Sequence, residues 1–130
     1  MRWGRLAEET GTAVAEFVMV SALLTILTLS VMQLGLALHI RNTVLDAAAE
    51  GARFAALADN SLTDGVARTR NLIGAALGPD YATDVSASLG SYLGHPAAAV
   101  TVRTPLPLLG LVGIDGGLEV VGHAAIETLD

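Results

Sequence analysis

Neither cysteine nor lysine occurs anywhere in this chain of 130 residues. The first absence removes disulfide frameworks, thiolate metal sites and cysteine nucleophiles together. The second removes a phosphate-cradling P-loop, whose lysine must reach the nucleotide. Aromatic residues are nearly as scarce, at two Phe, two Tyr and one Trp. A soluble core built from so few large side chains is thin, so neighbouring subunits would supply some of its contacts. Positive charge runs short as well. Residues 42–130 carry four Arg against ten Asp or Glu, so the whole formal charge of −6 lies there. Nucleic acid requires a cationic surface that displaces phosphate counterions, and this part has the opposite sign; direct nucleic-acid binding is not expected.

Catalytic and metal-binding patterns are missing too. His39, His95 and His123 stand apart, and none has a partner at metal-ligand spacing. Ser91 in Gly90–Gly94 occupies the wrong slot for a nucleophile elbow. Gly110, Gly113, Gly116 and Gly117 lack the strand-then-helix setting of a dinucleotide loop. Asp80 and Asp84 do not form an EF-hand loop. The reading is therefore of a non-enzymatic protein with no cofactor and no metal.

What is present is one membrane-length apolar run. Phe17 to Ile40 holds 24 residues without Asp, Glu, Lys or Arg. As a helix it reaches roughly 36 Å, enough to cross a hydrocarbon core of about 30 Å with some tilt. It is too long for the apolar region of a cleaved secretory signal, about 7–15 residues, and no convincing small-residue cleavage site follows it. Its Ser and Thr residues suit bonds back to the preceding helical turn. Arg2 and Arg5 precede it, a small bias for a cytoplasmic N-terminus, with residues 42–130 outside the cytoplasmic membrane.

One acid stands at the mouth of this run. A polar leader, Met1 to Thr10, ends at Gly11; then come Thr12-Ala13-Val14-Ala15-Glu16-Phe17 and the aliphatic stretch. Were the chain cut after Gly11, Glu16 would be the fifth residue of the product. This resembles a prepilin-type signal. The order G-x-x-x-x-E-F, the stretch RNTVLDAAAEGARFAA from Arg41 to Ala56, and the closing segments VTVRTPLPLLGL and LEVVGHAAIETLD together resemble the TadE-like family of pseudopilins from tight-adherence (Tad/Flp) pilus systems. The resemblance is strongest over 11–56. The acids Glu8 and Glu9, directly before the glycine, depart from a basic or neutral leader.

That resemblance implies a minor pilin processed by a prepilin peptidase, with Gly11, Thr12, Glu16 and Phe17 as the processing site. It implies as partners other pilins and pseudopilins, the inner-membrane pilus assembly platform with its ATPase, and membrane lipid. Physical chemistry adds a role for the acid. Cleavage would leave a cationic α-amino group on Thr12, about one turn from Glu16, and a neighbouring subunit's amine could neutralise that carboxylate. Two other readings of the same residues stay open: an uncleaved, signal-anchored extracellular binding domain, and a secreted domain.

The expected layout is a leader over 1–11, a transmembrane and assembly helix over 12–40, its extracytoplasmic continuation over 41–58, and a small domain over 59–130. The fold class is α+β, pilin-like: a long N-terminal helix, a short second helix and a small antiparallel sheet. Glu50 and Arg53 form a weak i, i+3 pair. Ala47, Gly51, Ala55 and Ala58 make a face almost without side chain, which lets helices approach closely. The continuation (Ala47, Glu50, Gly51, Arg53 and Ala55) is the candidate assembly surface. Ser61-Leu62-Thr63-Asp64 has capping-box spacing, and Leu62, Val66, Ile73 and Leu77 recur at helical intervals until Gly78-Pro79. Period-two patterns mark strands around Val85–Leu89, from Val100, and over Leu118–Glu127. Pro105, Pro107 and Gly113–Gly117 are expected to connect the last two, with the turn at Asp115-Gly116.

Overall fold

The computed structural model describes residues 2–108 and 112–127. Its elements are helix α1 (Arg2–Ala56), helix α2 (Leu62–Leu77), a 3-10 turn (Pro79–Ala82) and three strands: β1 (Asp84–Tyr92), β2 (His95–Leu108) and β3 (Val112–Ala125). The chain divides into two units, Met1–Gly35 and Leu36–Asp130.

The first unit is helical throughout its described residues, including the polar segment before Gly11. No proline interrupts the chain before Pro79. The hydroxyls of Thr10, Thr25, Thr28 and Ser30 donate to the carbonyls of Leu6, Ser21, Leu24 and Ile26, at 2.7–2.8 Å and four residues back. Each polar side chain is thereby satisfied within its own helix, as membrane burial would require. An 18-residue window of this helix has a mean hydropathy of 2.1 and none of it is buried in the chain. By length and composition it is long and apolar enough to cross a membrane.

In the second unit, an antiparallel sheet of order β1-β2-β3 packs one face on the end of α1 and on α2. Alternation selects that face. Val85, Val100, Val102, Leu118 and Val120 are buried, while Ser86, Arg103, Glu119 and His123 lie outward. From the helices come Ile40, Val44, Ala48, Ala52 and Ile73, each 2% exposed or less. The core is thus built from Val, Ile and Ala rather than aromatics, which fits the scarcity of large rings.

Helix α2 begins with the expected capping box. Ser61 Oγ accepts from Asp64 N–H at 3.2 Å, and Asp64 Oδ2 accepts from Ser61 N–H at 2.8 Å. It stops at Gly78, whose φ of 104° few side-chain-bearing residues adopt. A two-residue loop, Leu93-Gly94, joins β1 to β2 with positive φ at both positions, 51° and 81°.

Three boundaries differ from the sequence pattern. α1 ends at Ala56, not residue 58, and β2 begins at His95, five residues before Val100. The larger correction concerns Gly113–Gly117, which lies within strand β3, while Pro105 and Pro107 lie within β2. The Asp115-Gly116 turn is therefore not a turn. Thr104 pairs with Leu118 and Leu106 with Ile114, so one β2 residue stands opposite three of β3. Pro105 has no N–H to give the ladder, and the surplus Asp115-Gly116-Gly117 accommodates the break as a bulge. Turn-forming residues and bulge-forming residues are the same types, which is why the pattern was ambiguous. The connection itself, 109–111, lies outside the described residues.

Candidate processing and assembly site

Gly11, Thr12, Glu16 and Phe17 all sit on the first stretch of α1, in helical conformation and exposed. A Cβ added at Gly11 would meet nothing within 4 Å. The glycine is thus not required by packing in this chain. Thr12 and Glu16 are one turn apart, about 6 Å along the axis. Together with Arg5, Glu8, Glu9 and Ala13 they line one side of the helix. Among the described residues no ion pair or hydrogen bond engages Glu16. Phe17, 73% exposed, opens the aliphatic stretch directly after the acid.

The continuation of α1 behaves differently. Ala47 and Ala55 are 5% and 8% exposed, and Gly51 is buried as well. Their cover comes from the same chain. Gly51 lies against Gly65 of α2: a Cβ on Gly51 would stand 2.8 Å from the Gly65 carbonyl oxygen and would run into Thr69 Oγ1. Reciprocally, a Cβ on Gly65 would lie 2.6 Å from that of Ala55. Thr69 Oγ1, fully buried at this crossing, donates to the Gly65 carbonyl at 2.8 Å, with a longer contact of 3.5 Å to that of Ala47. The small-residue row does let helices approach closely, and here the second helix is the chain's own.

Glu50 and Arg53 form the expected pair at 3.5 Å, with side chains 44% and 70% exposed. At that exposure the pair contributes little to stability. With Thr43, Asp46 and Leu72 the two residues line a shallow groove of about 480 Å³ between α1 and α2. Of the candidate assembly residues, these are the two within reach of a neighbour.

Three features escaped the sequence reading. Gly122 of β3 crosses α1 so closely that a Cβ there would collide with the backbone of Ala48 and Ala49. Glu127 closes the end of α1: its N–H donates to the Ala56 carbonyl at 2.9 Å, and its Oε2 accepts from Ala58 N–H at 3.3 Å. The third is on the outward sheet face. Tyr92 stacks on His123, with ring centroids 4.2 Å apart and planes within 6°. Near the other end of that face, Arg103 Nε donates to Glu119 Oε2 at 3.1 Å. The guanidinium pKa rises above its usual value through that bond and charge, with Asp84 adding to it. None of these partners is adjacent in sequence, so periodicity alone could not have paired them.

A helix that presents Gly11, Thr12 and an unpartnered Glu16 ahead of an exposed apolar stretch, and then buries a small-residue face, matches a known pattern. Residues 11–53 match the model of the TadE-like protein family. The TadE-like segment starts at the glycine proposed for cleavage and ends three residues before the end of α1. It thus covers both the exposed apolar stretch and the helix that the sheet packs on, and the resemblance read from the motifs holds over those residues. No curated protein and no solved structure matches the chain.

Proposed function

We propose that this protein is a minor pilin of a Tad/Flp-type pilus, inserted with its N-terminus in the cytoplasm and processed after Gly11 by a prepilin peptidase. The observation that carries the reading is the coincidence of the TadE-like match, starting at Gly11, with an exposed Glu16 at the start of an apolar helix. The protein is a structural subunit rather than an enzyme. Its mature helix begins at Thr12, and the new α-amino cation of one subunit neutralises Glu16 of the next as they assemble. A buried carboxylate without such a partner is costly in lipid, which gives assembly its directionality. Glu50 and Arg53 add a polar contact to neighbouring pilins or pseudopilins outside the membrane. The assembly platform and its ATPase act on the membrane-inserted form.

N-terminal sequencing of the membrane-resident protein, expressed with its peptidase, tests the reading. Thr12 is expected as the first residue. An intact Met1 start would instead favour a signal-anchored binding domain, and a start near residue 45 a secreted one. Gly11→Val should abolish processing. Glu16→Ala should still be cleaved but should fail to enter filaments, and normal assembly would remove the neutralisation argument.

A further inference from the structure

The register of the sheet on α1 fixes which end of the domain points where. Glu127 bonds to Ala56, and Gly122 lies on Ala48–Ala49, so β3 runs alongside α1 in the opposite sense of numbering from the helix end. Both residue numbers fall together toward the N-terminal end of the domain. From Gly122 back to Leu118 is about 13 Å of strand. From Ala48 back to Ile40 is about 12 Å of helix. Leu118 and its partner Thr104 therefore stand level with Ile40, and Leu118 shares a core cluster with it. Ile40 is also the last residue of the uncharged run that begins at Phe17.

The β2–β3 ladder does not stop at that level. Leu106 pairs with Ile114, Pro107 with Gly113 and Leu108 with Val112. Four further residues of β2 beyond Thr104 carry the hairpin roughly 13 Å past Ile40, on the side from which α1 enters the domain. Composition changes sharply there. Between Arg103 and Asp115 lie eleven residues with no ionisable group, six of them Leu, Val or Ile. The rest of the acidic domain has no comparable stretch. Hairpin ends in water ordinarily carry Asn, Asp or Ser, and this one carries none. Backbone pairing within the ladder satisfies polar groups internally, and Pro105 and Pro107 have no N–H to leave unpaired.

We propose that this end of the β2–β3 hairpin is a second membrane contact, seated in the outer lipid interface beside the point where α1 leaves the bilayer. The inference rests on the membrane-spanning reading of α1. Its occupant is lipid because the hairpin continues the apolar surface of a helix already in lipid, at the same end of the domain. The contact is interfacial, since an open sheet edge cannot enter the hydrocarbon centre. It would hold the sheet upright on the membrane before assembly, and would have to be released when the subunit leaves the bilayer.

The absence of cysteine allows a direct test on the full-length protein in liposomes. Single cysteines are placed at Val112, at Leu27 in the middle of the span, and at Leu93, 82% exposed at the opposite hairpin. Each is labelled with a water-soluble maleimide, then separately with an environment-sensitive fluorophore in vesicles containing brominated phosphatidylcholine. V112C should label roughly tenfold or more slowly than L93C and should be quenched by the brominated lipid, as an interfacially buried group would be. If V112C labels as fast as L93C while L27C is quenched, the hairpin inference is overturned and the membrane span stands. Protection of V112C without quenching also overturns it, because protein rather than lipid then covers the hairpin. Rapid labelling of L27C would remove the membrane-spanning reading itself, and with it the hairpin proposal.

Discussion

Gly122→Ala adds one methyl group where β3 crosses α1, and the structure sets its cost. The new Cβ would sit 2.6 Å from the carbonyl oxygen of Ala48, and closer still to backbone atoms of Ala48 and Ala49. Backbone atoms cannot rotate away, so the strand and helix must separate by about 0.8–1 Å to reach ordinary contact. Such a gap forfeits a quarter to a half of each dispersion contact along the seam. The seam includes Val44, Ala48 and Val120, all 6% exposed or less. Overpacking of this kind costs about 1–3 kcal/mol, and rigid neighbours place it near the upper end. Against that, replacing glycine lowers the entropy of the unfolded chain, a gain of about 0.4–1 kcal/mol. The net loss is about 2 kcal/mol, a fall in melting temperature of roughly 8–16 °C for a domain of this size. Scanning calorimetry of the full-length protein in detergent micelles measures it. Gly90→Ala is the control: it makes the same chemical change in β1, where a Cβ meets nothing within 4 Å. If Gly122→Ala melts within about 2 °C of Gly90→Ala, the close helix–strand crossing is refuted, by the same scaling.

The same calorimetric measurement checks three more substitutions. Gly74→Ala, inside α2 with open space around it, should stabilise by about 1 kcal/mol, because glycine is a poor helix former; a fall in melting temperature would mean that α2 packs more closely than described. Ser61→Ala removes the cap that accepts from Asp64 N–H, and should cost about 1 kcal/mol. Asp64→Asn should cost less, because its amide oxygen can still accept from Ser61 N–H. Leu93→Asn should raise stability by a few tenths of a kcal/mol or more, since asparagine tolerates the positive φ that leucine holds there; no change would indicate that Leu93 compensates through a contact of its own.

Local chemistry made much of this chain readable in advance. The membrane-length helix follows from an uninterrupted aliphatic run, which needs no partner to be recognised. The second helix declared itself through Ser61 and Asp64, because a capping box closes within four residues. Gly11 and Glu16 were legible for the same reason, as a pair whose meaning depends on spacing along one helix. Strands β1, β2 and β3 showed through alternation, though the Gly113–Gly117 stretch misled, since a bulge and a turn draw on the same residues.

Only the tertiary structure decided which small residues matter and to whom they belong. Ala47, Gly51 and Ala55 read as a surface for another subunit's helix, yet Gly65 and Thr69 of α2 occupy much of it. Nothing in the local pattern distinguishes a close approach within the chain from one between chains, because both require only the missing side chain. Gly122 looked like one more residue of an alternating strand until α1 was found against it. Glu127 became a helix cap only once a strand 69 residues away in sequence returned to Ala58. Sequence determines what each segment can do by itself, and contacts between distant segments depend on closure of the whole chain.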